Sequence, residues 1–180
     1  MSRHGKLLSY AQLREAVVRV TQIDKDAVLI GGFALNLYGS SRLTTDLDTI
    51  VERVPDGFEN EKRLSFGGVR TTVNSVPVDF IERNDDAAPL YEAAYDHATK
   101  LPSIPLLVAR PEYLLAMKMY AGRKKDEADI EWMLRAKIVD RHLAEQVVKK
   151  FLGVLAAKDL RLLFELTDWM ATRPEAADED

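Results

Sequence analysis

The sequence predicts an α/β fold in its first half and a helical region in its second half. Between residues 26 and 82, short apolar segments of strand length alternate with turn residues and one helical segment. After Pro102, apolar residues recur at helical spacing in four consecutive segments. We therefore expect an α/β core over residues 1–102, a helical region over 103–173 that completes a cleft, and a disordered acidic tail over 174–180.

The composition is typical of a folded globular protein and excludes several classes. The 180 residues carry a net charge of −4, so the chain as a whole does not attract nucleic acid by charge alone. The absence of cysteine excludes disulfides, thiolate metal sites and cysteine nucleophiles. The sequence contains no apolar run of membrane-spanning length and no signal-peptide core at its start, so we expect a cytoplasmic protein with no membrane partner.

The elements of the first half follow in order from apolar spacing and turn residues. The first four are a helix over 7–20, a strand over 26–30, a helix over 33–38 and a strand over 47–52. Three short β segments separated by turns follow, over 64–66, 69–73 and 76–82. A short helix that ends near residue 94 completes this half.

The second half predicts four helices, over 112–121, 124–136, 140–152 and 157–171. Pro111 suits the first turn of the first of these helices, because its fixed φ is compatible with a helix start. Asp140 is a candidate N-cap of the third. Trp132 and Trp169 fall at apolar helix positions, so we expect both in the core.

Two neighbouring carboxylates are the most informative feature of the chain. Asp46 and Asp48 flank Leu47 at the start of a predicted strand, where alternate side chains point to the same face. Like charges on one face repel each other. A divalent cation removes that repulsion, because hard cations take oxygen ligands. We interpret the pair as metal ligands; the alternative is that Asp46 only caps a turn.

A glycine pair stands directly after the strand predicted over 26–30. Gly31 and Gly32 lead into a helix, and the backbone N–H groups at a helix start can bind an anion. A metal beside a phosphate is the arrangement that phosphoryl-transfer chemistry requires. The segment therefore favours an enzyme that acts on a phosphate compound.

The run from Ile30 to Val51 resembles the signature of the nucleotidyltransferase superfamily, which has a polymerase-beta-like fold: an apolar strand, Gly-Gly or Gly-Ser, a connecting segment and Asp-x-Asp. The resemblance implies a short mixed β-sheet flanked by helices and a third carboxylate on a later strand. Asp79, inside an apolar run, supplies that carboxylate; the alternative is a charge that keeps an edge strand soluble. The resemblance further implies Mg²⁺ or Mn²⁺ at Asp46, Asp48 and Asp79, with Asp79 completing a second metal site or acting as general base.

A finer resemblance extends over about residues 27–136, to abortive-infection-type nucleotidyltransferase toxins and lincosamide adenylyltransferases. It includes the stretch 118–126, where that branch uses a lysine and a Lys-Asp pair to close its site. The resemblance implies an NTP substrate and nucleotide-binding roles for Gly31, Gly32, Ser40, Arg42, Thr44 and Lys118. Gly32 stands where many members carry a phosphate-binding serine, so phosphate contact there falls to backbone N–H groups, aided by Ser40 or Ser41.

Several of these residues also have structural interpretations. Arg42 could be a surface arginine, Thr44 could only hydrogen-bond the loop backbone, and Lys118 could be solvated on its helix. The basic residues 123–125 form a patch that is either a solvated face or a contact for tRNA. Asp126 could be a charge at the start of a helix, favoured by the helix dipole, rather than a site residue, and Asp129 could be a surface charge.

The function expected from the resemblance is metal-dependent transfer of a nucleoside monophosphate from an NTP to a hydroxyl acceptor. The acceptor is either tRNA or a protein in a toxin–antitoxin-like system, or a small molecule such as an antibiotic. A cognate toxin or antitoxin is a further candidate partner. The alternative is a non-catalytic nucleotide-binding sensor, or an antitoxin-like partner protein, that kept the fold.

Overall fold

The computed structural model describes residues 7–65, 67–84 and 86–172. The chain divides into two compact units, Met1–Arg110 and Pro111–Asp180. The tail predicted over 174–180 lies outside the described residues, as does Phe66 in the strand predicted over 64–66. Where it is described, the chain forms seven helices and one seven-stranded sheet, which confirms the predicted α/β class with a mixed sheet.

The first unit contains the whole sheet and three helices. Its elements are α1 (Tyr10–Ile23), β1 (Val28–Ile30), α2 (Gly31–Leu37), β2 (Leu47–Val51), β3 (Lys62–Arg63), β4 (Val69–Val73), β5 (Val76–Glu82), α3 (Ala88–Asp96), β6 (Thr99–Lys100) and β7 (Leu107–Val108). The strand order is β3-β4-β5-β2-β1-β7-β6. The pairs β2–β5 and β1–β7 are parallel and the other pairs are antiparallel.

Helix α1 covers part of this sheet with an apolar face. Leu13, Ala16, Val17 and Val20 are buried, and the helix packs against β2, β4 and β5. The helix starts at Tyr10 rather than at residue 7, because Ser9 forms a capping box with Gln12 that satisfies the first backbone N–H groups. Burying one large apolar side chain of this kind stabilises a fold by about 1.5–3 kcal/mol.

A tight hairpin fixes the register of β4 and β5. Asn74 and Ser75 have φ values of 50° and 64°, the left-handed pair of a two-residue turn that matches strand twist. Val73 therefore pairs with Val76, and three residues further along each strand Arg70 pairs with Asp79. Strand β5 lies between β4 and β2, so the edge-strand alternative for Asp79 is wrong.

The sheet also extends further along the chain than the sequence pattern indicates. Strand β6 has two residues, too few to show the alternation that predicts a strand. Strand β7 pairs with β1, so residues 107–108 belong to the sheet. The first unit consequently ends at Arg110, whereas the boundary was expected at residue 102.

The second unit consists of four helices over its described residues: α4 (Pro111–Ala121), α5 (Lys124–Arg135), α6 (Arg141–Leu152) and α7 (Val154–Ala171). Helix α4 packs against α5 and α6, and α7 packs against the same two helices. The core includes the fully buried side chains of Leu114, Leu115, Met133 and Leu160. Among the described helices, none is long and apolar enough to cross a membrane.

Two details of the helical unit bear on the sequence predictions. Asp140 is the N-cap of α6, as predicted, and its Oδ1 accepts a hydrogen bond from the backbone N–H of Leu143 at 3.0 Å. Trp132 is half-buried, but the side chain of Trp169 is 51% exposed, so the prediction that Trp169 lies in the core is wrong. Trp169 lies in the last turn of α7, past the buried residues Ala157, Leu160 and Phe164.

Candidate metal and nucleotide site

Three polar side chains stand in one row across neighbouring strands. Asp48 of β2 is in parallel register with Asp79 of β5, and Arg70 of β4 lies opposite Asp79 from the other side. Asp46 lies directly before β2, two residues ahead of Asp48, and the two carboxylates converge. Apolar neighbours such as Leu47 and Phe80 are fully buried, which fixes the strands that carry the row.

The three predicted metal ligands do converge in the structure. One carboxylate oxygen from each of Asp46, Asp48 and Asp79 lies within 4.8 Å of the others. Asp46 and Asp48 are half-buried, whereas Asp79 is only 2% exposed. Burying an ionised carboxylate is costly unless cations or hydrogen-bond donors surround it. A set of three oxygen donors at this spacing fits a hard divalent cation.

Arg70 joins this acidic set, although the sequence analysis did not identify it. Its Nε donates to Asp79 Oδ1 at 2.6 Å and its Nη2 donates to Asp79 Oδ2 at 2.7 Å. The same Nη2 lies 3.1 Å from Asp46 Oδ2. The hydrogen bonds to Asp79, aided by the charges of Asp79, Asp46 and Asp48, raise the pKa of Arg70 above its usual value despite burial. The guanidinium is therefore a permanent positive charge within the acidic set.

Gly31 makes room for the Asp48 carboxylate. Helix α2 begins at Gly31, directly after β1 and two residues earlier than predicted, and Gly31 turns the chain with a φ of +70° that L side chains rarely take. A Cβ at this position would collide with Oδ2 of Asp48 and would lie 2.8 Å from its Cγ. Both the backbone turn and the position of Asp48 thus require glycine at residue 31.

Gly32 likewise leaves space for the side chains of Arg42 and Thr44. A Cβ at Gly32 would collide with Nη2 of Arg42 and would lie 2.9 Å from Oγ1 of Thr44. Arg42 is half-buried and Thr44 is buried. Thr44 Oγ1 donates to the backbone carbonyl of Asp46 at 3.3 Å, which confirms the predicted hydrogen bond to the loop backbone, and lies 3.4 Å from Asp46 Oδ1. The glycine pair, Arg42 and the acids therefore form one continuous site.

The loop that carries Arg42 is held by side-chain hydrogen bonds. Asn36 Nδ2 donates to the backbone carbonyls of Ser40 and Arg42, at 2.7 and 2.8 Å. Ser40 Oγ accepts from the backbone N–H of Arg42 at 3.3 Å, and Ser41 is exposed. Ser40 therefore stabilises the conformation of this loop through hydrogen bonds to Asn36 and Arg42.

The comparison with protein families agrees with this geometry. A family described as a nucleotidyltransferase of unknown function (DUF6036) matches residues 6–173. The chain belongs to this nucleotidyltransferase family. No protein of curated function matches the chain. Family membership confirms the resemblance at the level of the superfamily and of the enzyme class, and the abortive-infection and lincosamide branches remain predictions.

In the helical unit of this nucleotidyltransferase, Lys118 belongs to a buried charged cluster. Its Nζ lies 2.9 Å from Asp126 Oδ1 and 2.6 Å from Asp129 Oδ2. Lys118, Asp126 and Asp129 are 6%, 0% and 3% exposed. The alternatives of a solvated Lys118 and a surface Asp129 are therefore wrong, because the packing of α4 against α5 encloses all three side chains.

Arg123 closes the cluster of Lys118, Asp126 and Asp129 from its exposed side. Its Nε donates to Asp126 Oδ2 at 2.6 Å. Burial raises the pKa of Asp126, but the hydrogen bonds from Arg123 and Lys118 outweigh burial and lower it below its ordinary 3.8. Lys124 and Lys125 are exposed in the first turn of α5, as a solvated basic face would be. Arg123 thus has a structural role that the sequence pattern did not indicate.

Proposed function

We propose that the protein transfers a nucleoside monophosphate from an NTP to a hydroxyl acceptor, with Mg²⁺ or Mn²⁺ bound at the acidic set. The observation that carries the proposal is the convergence of Asp46, Asp48 and Asp79 in a member of a nucleotidyltransferase family. An acidic cluster of this density, half or fully buried, is difficult to explain by stability alone.

Asp46 and Asp48 would hold the cation, with Asp79 completing the acidic set. When bound, a divalent cation would offset charge on the phosphates and the leaving pyrophosphate and would favour ionisation of the attacking hydroxyl. The chain orients these ligands before any substrate binds. Strand β2 carries Asp48, Gly31 leaves space for the Asp48 carboxylate, and Thr44 Oγ1 lies 3.4 Å from Asp46 Oδ1.

Arg42 would bind the triphosphate. A guanidinium donates two parallel hydrogen bonds to phosphate oxygens, and such charge-assisted bonds are stronger than neutral ones. The Arg42 guanidinium lies against Gly32, as does Thr44, which contacts Asp46, and Asn36 and Ser40 hold the Arg42 backbone. These contacts support the nucleotide-binding roles predicted for Gly32, Ser40, Arg42 and Thr44.

Lys118 would contribute to nucleotide binding only if its existing contacts were rearranged. Its ammonium group already has two carboxylate partners, Asp126 and Asp129, at hydrogen-bonding distance. Lys118 would reach a phosphate only by leaving at least one of them. The arrangement supports a structural role for Lys118 more directly than a role in binding.

Labelled nucleotides test the proposal. The protein is incubated with Mg²⁺ and each of ATP, CTP, GTP and UTP labelled at the α-phosphate, together with tRNA, protein, aminoglycoside and lincosamide acceptors. Label in one acceptor pool, lost on addition of EDTA, supports nucleotidyl transfer and identifies the acceptor class. Nucleotide binding without label in any pool would favour the alternative of a non-catalytic sensor or an antitoxin-like partner.

A further inference from the structure

We infer that the acidic set binds one divalent cation rather than two, because Arg70 takes the place of a second cation at Asp79. This inference rests on the proposed function and concerns the same site. It adds a positioning residue, Arg70, and it removes one of the two roles considered for Asp79, that of ligand to a second metal.

The hydrogen bonds of Asp79 are the first argument. In two-metal sites the cations lie about 3.5–4 Å apart, so a second cation within this set of three acids would need an oxygen of Asp79 as a ligand. Here the Arg70 guanidinium meets both oxygens of Asp79, at 2.6 and 2.7 Å. This bidentate arrangement is the strongest pairing that a carboxylate makes with a side chain. A second cation at Asp79 would have to displace it.

The charge of the site is the second argument. Three carboxylates carry three negative charges, and Arg70, which contacts both Asp79 and Asp46, offsets one of these charges, since the guanidinium stays protonated. The remaining two negative charges match one divalent cation. A second divalent cation beside Asp79 would lie next to the guanidinium, and like charges at such distances repel strongly in a partly buried site.

The backbone provides the third argument, because Arg70 is placed by the sheet and not by a mobile loop. The turn at Asn74 and Ser75 fixes the hairpin, and the register then sets Arg70 opposite Asp79. The neighbouring strand offers a contrast. Arg63 of β3 lies 3.8 Å from Glu82, and its side chain is 64% exposed, which is typical of a weak surface pair.

Counting bound Mn²⁺ tests the inference without any activity assay. Free Mn²⁺ is measured by electron paramagnetic resonance during titration of the full chain in the absence of nucleotide, with circular dichroism to verify folding. The wild type is expected to bind one Mn²⁺ and Arg70→Gln is expected to bind two. The matched control Arg63→Gln is expected to bind one. Asp79→Asn is also expected to keep one, since Asp46 and Asp48 are the ligands.

The outcomes separate this inference from the proposed function. Two Mn²⁺ per wild-type chain would overturn the inference and leave the proposed function intact. A count of one in a folded Arg70→Gln variant, or of none in Asp79→Asn, would also overturn it. If Arg70→Gln does not fold, the wild-type and Asp79→Asn counts decide. No Mn²⁺ binding above that of Asp48→Asn would overturn the inference and the proposed function together.

Discussion

Arg70 lies directly opposite Asp79 on the neighbouring antiparallel strand, and its guanidinium donates to both oxygens of that carboxylate. The pair explains how a 2%-exposed aspartate is tolerated in the middle of a sheet. It also keeps an arginine beside the acids that are proposed to bind the metal. The predictions below test the parts of the site around this pair and the charged cluster in the helical unit.

Gly31→Ala is expected to weaken Mn²⁺ binding by about 10–100-fold, as loss of a supporting contact typically does. The new Cβ would displace the Asp48 carboxylate, and the φ of +70° would add backbone strain. Gly57→Ala is the matched control, because Gly57 also has a positive φ, +91°, but has nothing within 4 Å of an added Cβ. Equal Mn²⁺ affinity in the two variants would show that Gly31 does not position Asp48.

Gly32→Ala is expected to raise the KM for the NTP about tenfold, since the new methyl group would displace the Arg42 guanidinium and lose about one charge-assisted hydrogen bond. Steady-state kinetics measure the effect. The same substitution in an Arg42→Ala background is expected to change the KM little, because the displaced group is already absent. Independent, additive effects of the two substitutions would contradict the proposed role of Arg42.

Lys118→Met is expected to destabilise the protein by about 3–5 kcal/mol, because it leaves two buried carboxylates without their shared cation. Urea unfolding monitored by circular dichroism measures the change. Adding Asp126→Asn and Asp129→Asn should recover part of the loss, because it removes buried negative charge that Lys118 no longer offsets. Lys125→Met, at an exposed position, is the control, and a change within about 0.5 kcal/mol is expected there. A Lys118→Met variant as stable as the wild type would contradict the structural role.

Acidification is expected to destabilise the protein, and protonation of Asp126 is expected to contribute to this loss of stability. The folded-state pKa of Asp126 is lowered by Arg123 and Lys118 against the effect of burial, so its contribution to stability is present above its ordinary 3.8 and is lost as the pH falls through the lower folded value. Asp126→Asn should be less stable at pH 7 and should lose less stability below about pH 4. Glu127→Gln is the exposed control, and an acid profile of Asp126→Asn that matches it would refute this assignment.

Much of the site could be predicted from short-range patterns in the sequence. Two acids at alternate positions of a strand must share a face, and an aspartate within the apolar run of β5 requires a partner. The first argument located Asp46 and Asp48 correctly relative to each other, and the family resemblance added Asp79, whose carboxylate lies near theirs. The glycine pair also fell next to them, although the start of α2 at Gly31 depends on a backbone angle that the pattern does not reveal.

Arg70 shows a signal that was present but not used. The predicted turn at Asn74 and Ser75 implies that Val73 faces Val76, and counting three residues back and forward pairs Arg70 with Asp79. The buried cluster around Lys118 had no comparable local signal. It depends on how α4 packs against α5, which places charges eight and eleven positions apart within hydrogen-bonding distance. Short strands such as β6 are likewise set by pairing across the sheet and not by their own residues.

The central claim, that the acids bind a metal used in nucleotidyl transfer, is tested most directly by transfer of α-labelled phosphate in Asp46→Asn and Asp48→Asn. With the acceptor identified by the panel above, both variants are expected to lose about a hundredfold or more in rate, since metal coordination stabilises the transition state by several kcal/mol. The thermal unfolding temperature of both variants should be unchanged or slightly raised, because the repulsion between two like charges is removed. Asp56→Asn, at an exposed position, should transfer normally. Wild-type turnover in both Asp46→Asn and Asp48→Asn would contradict the claim.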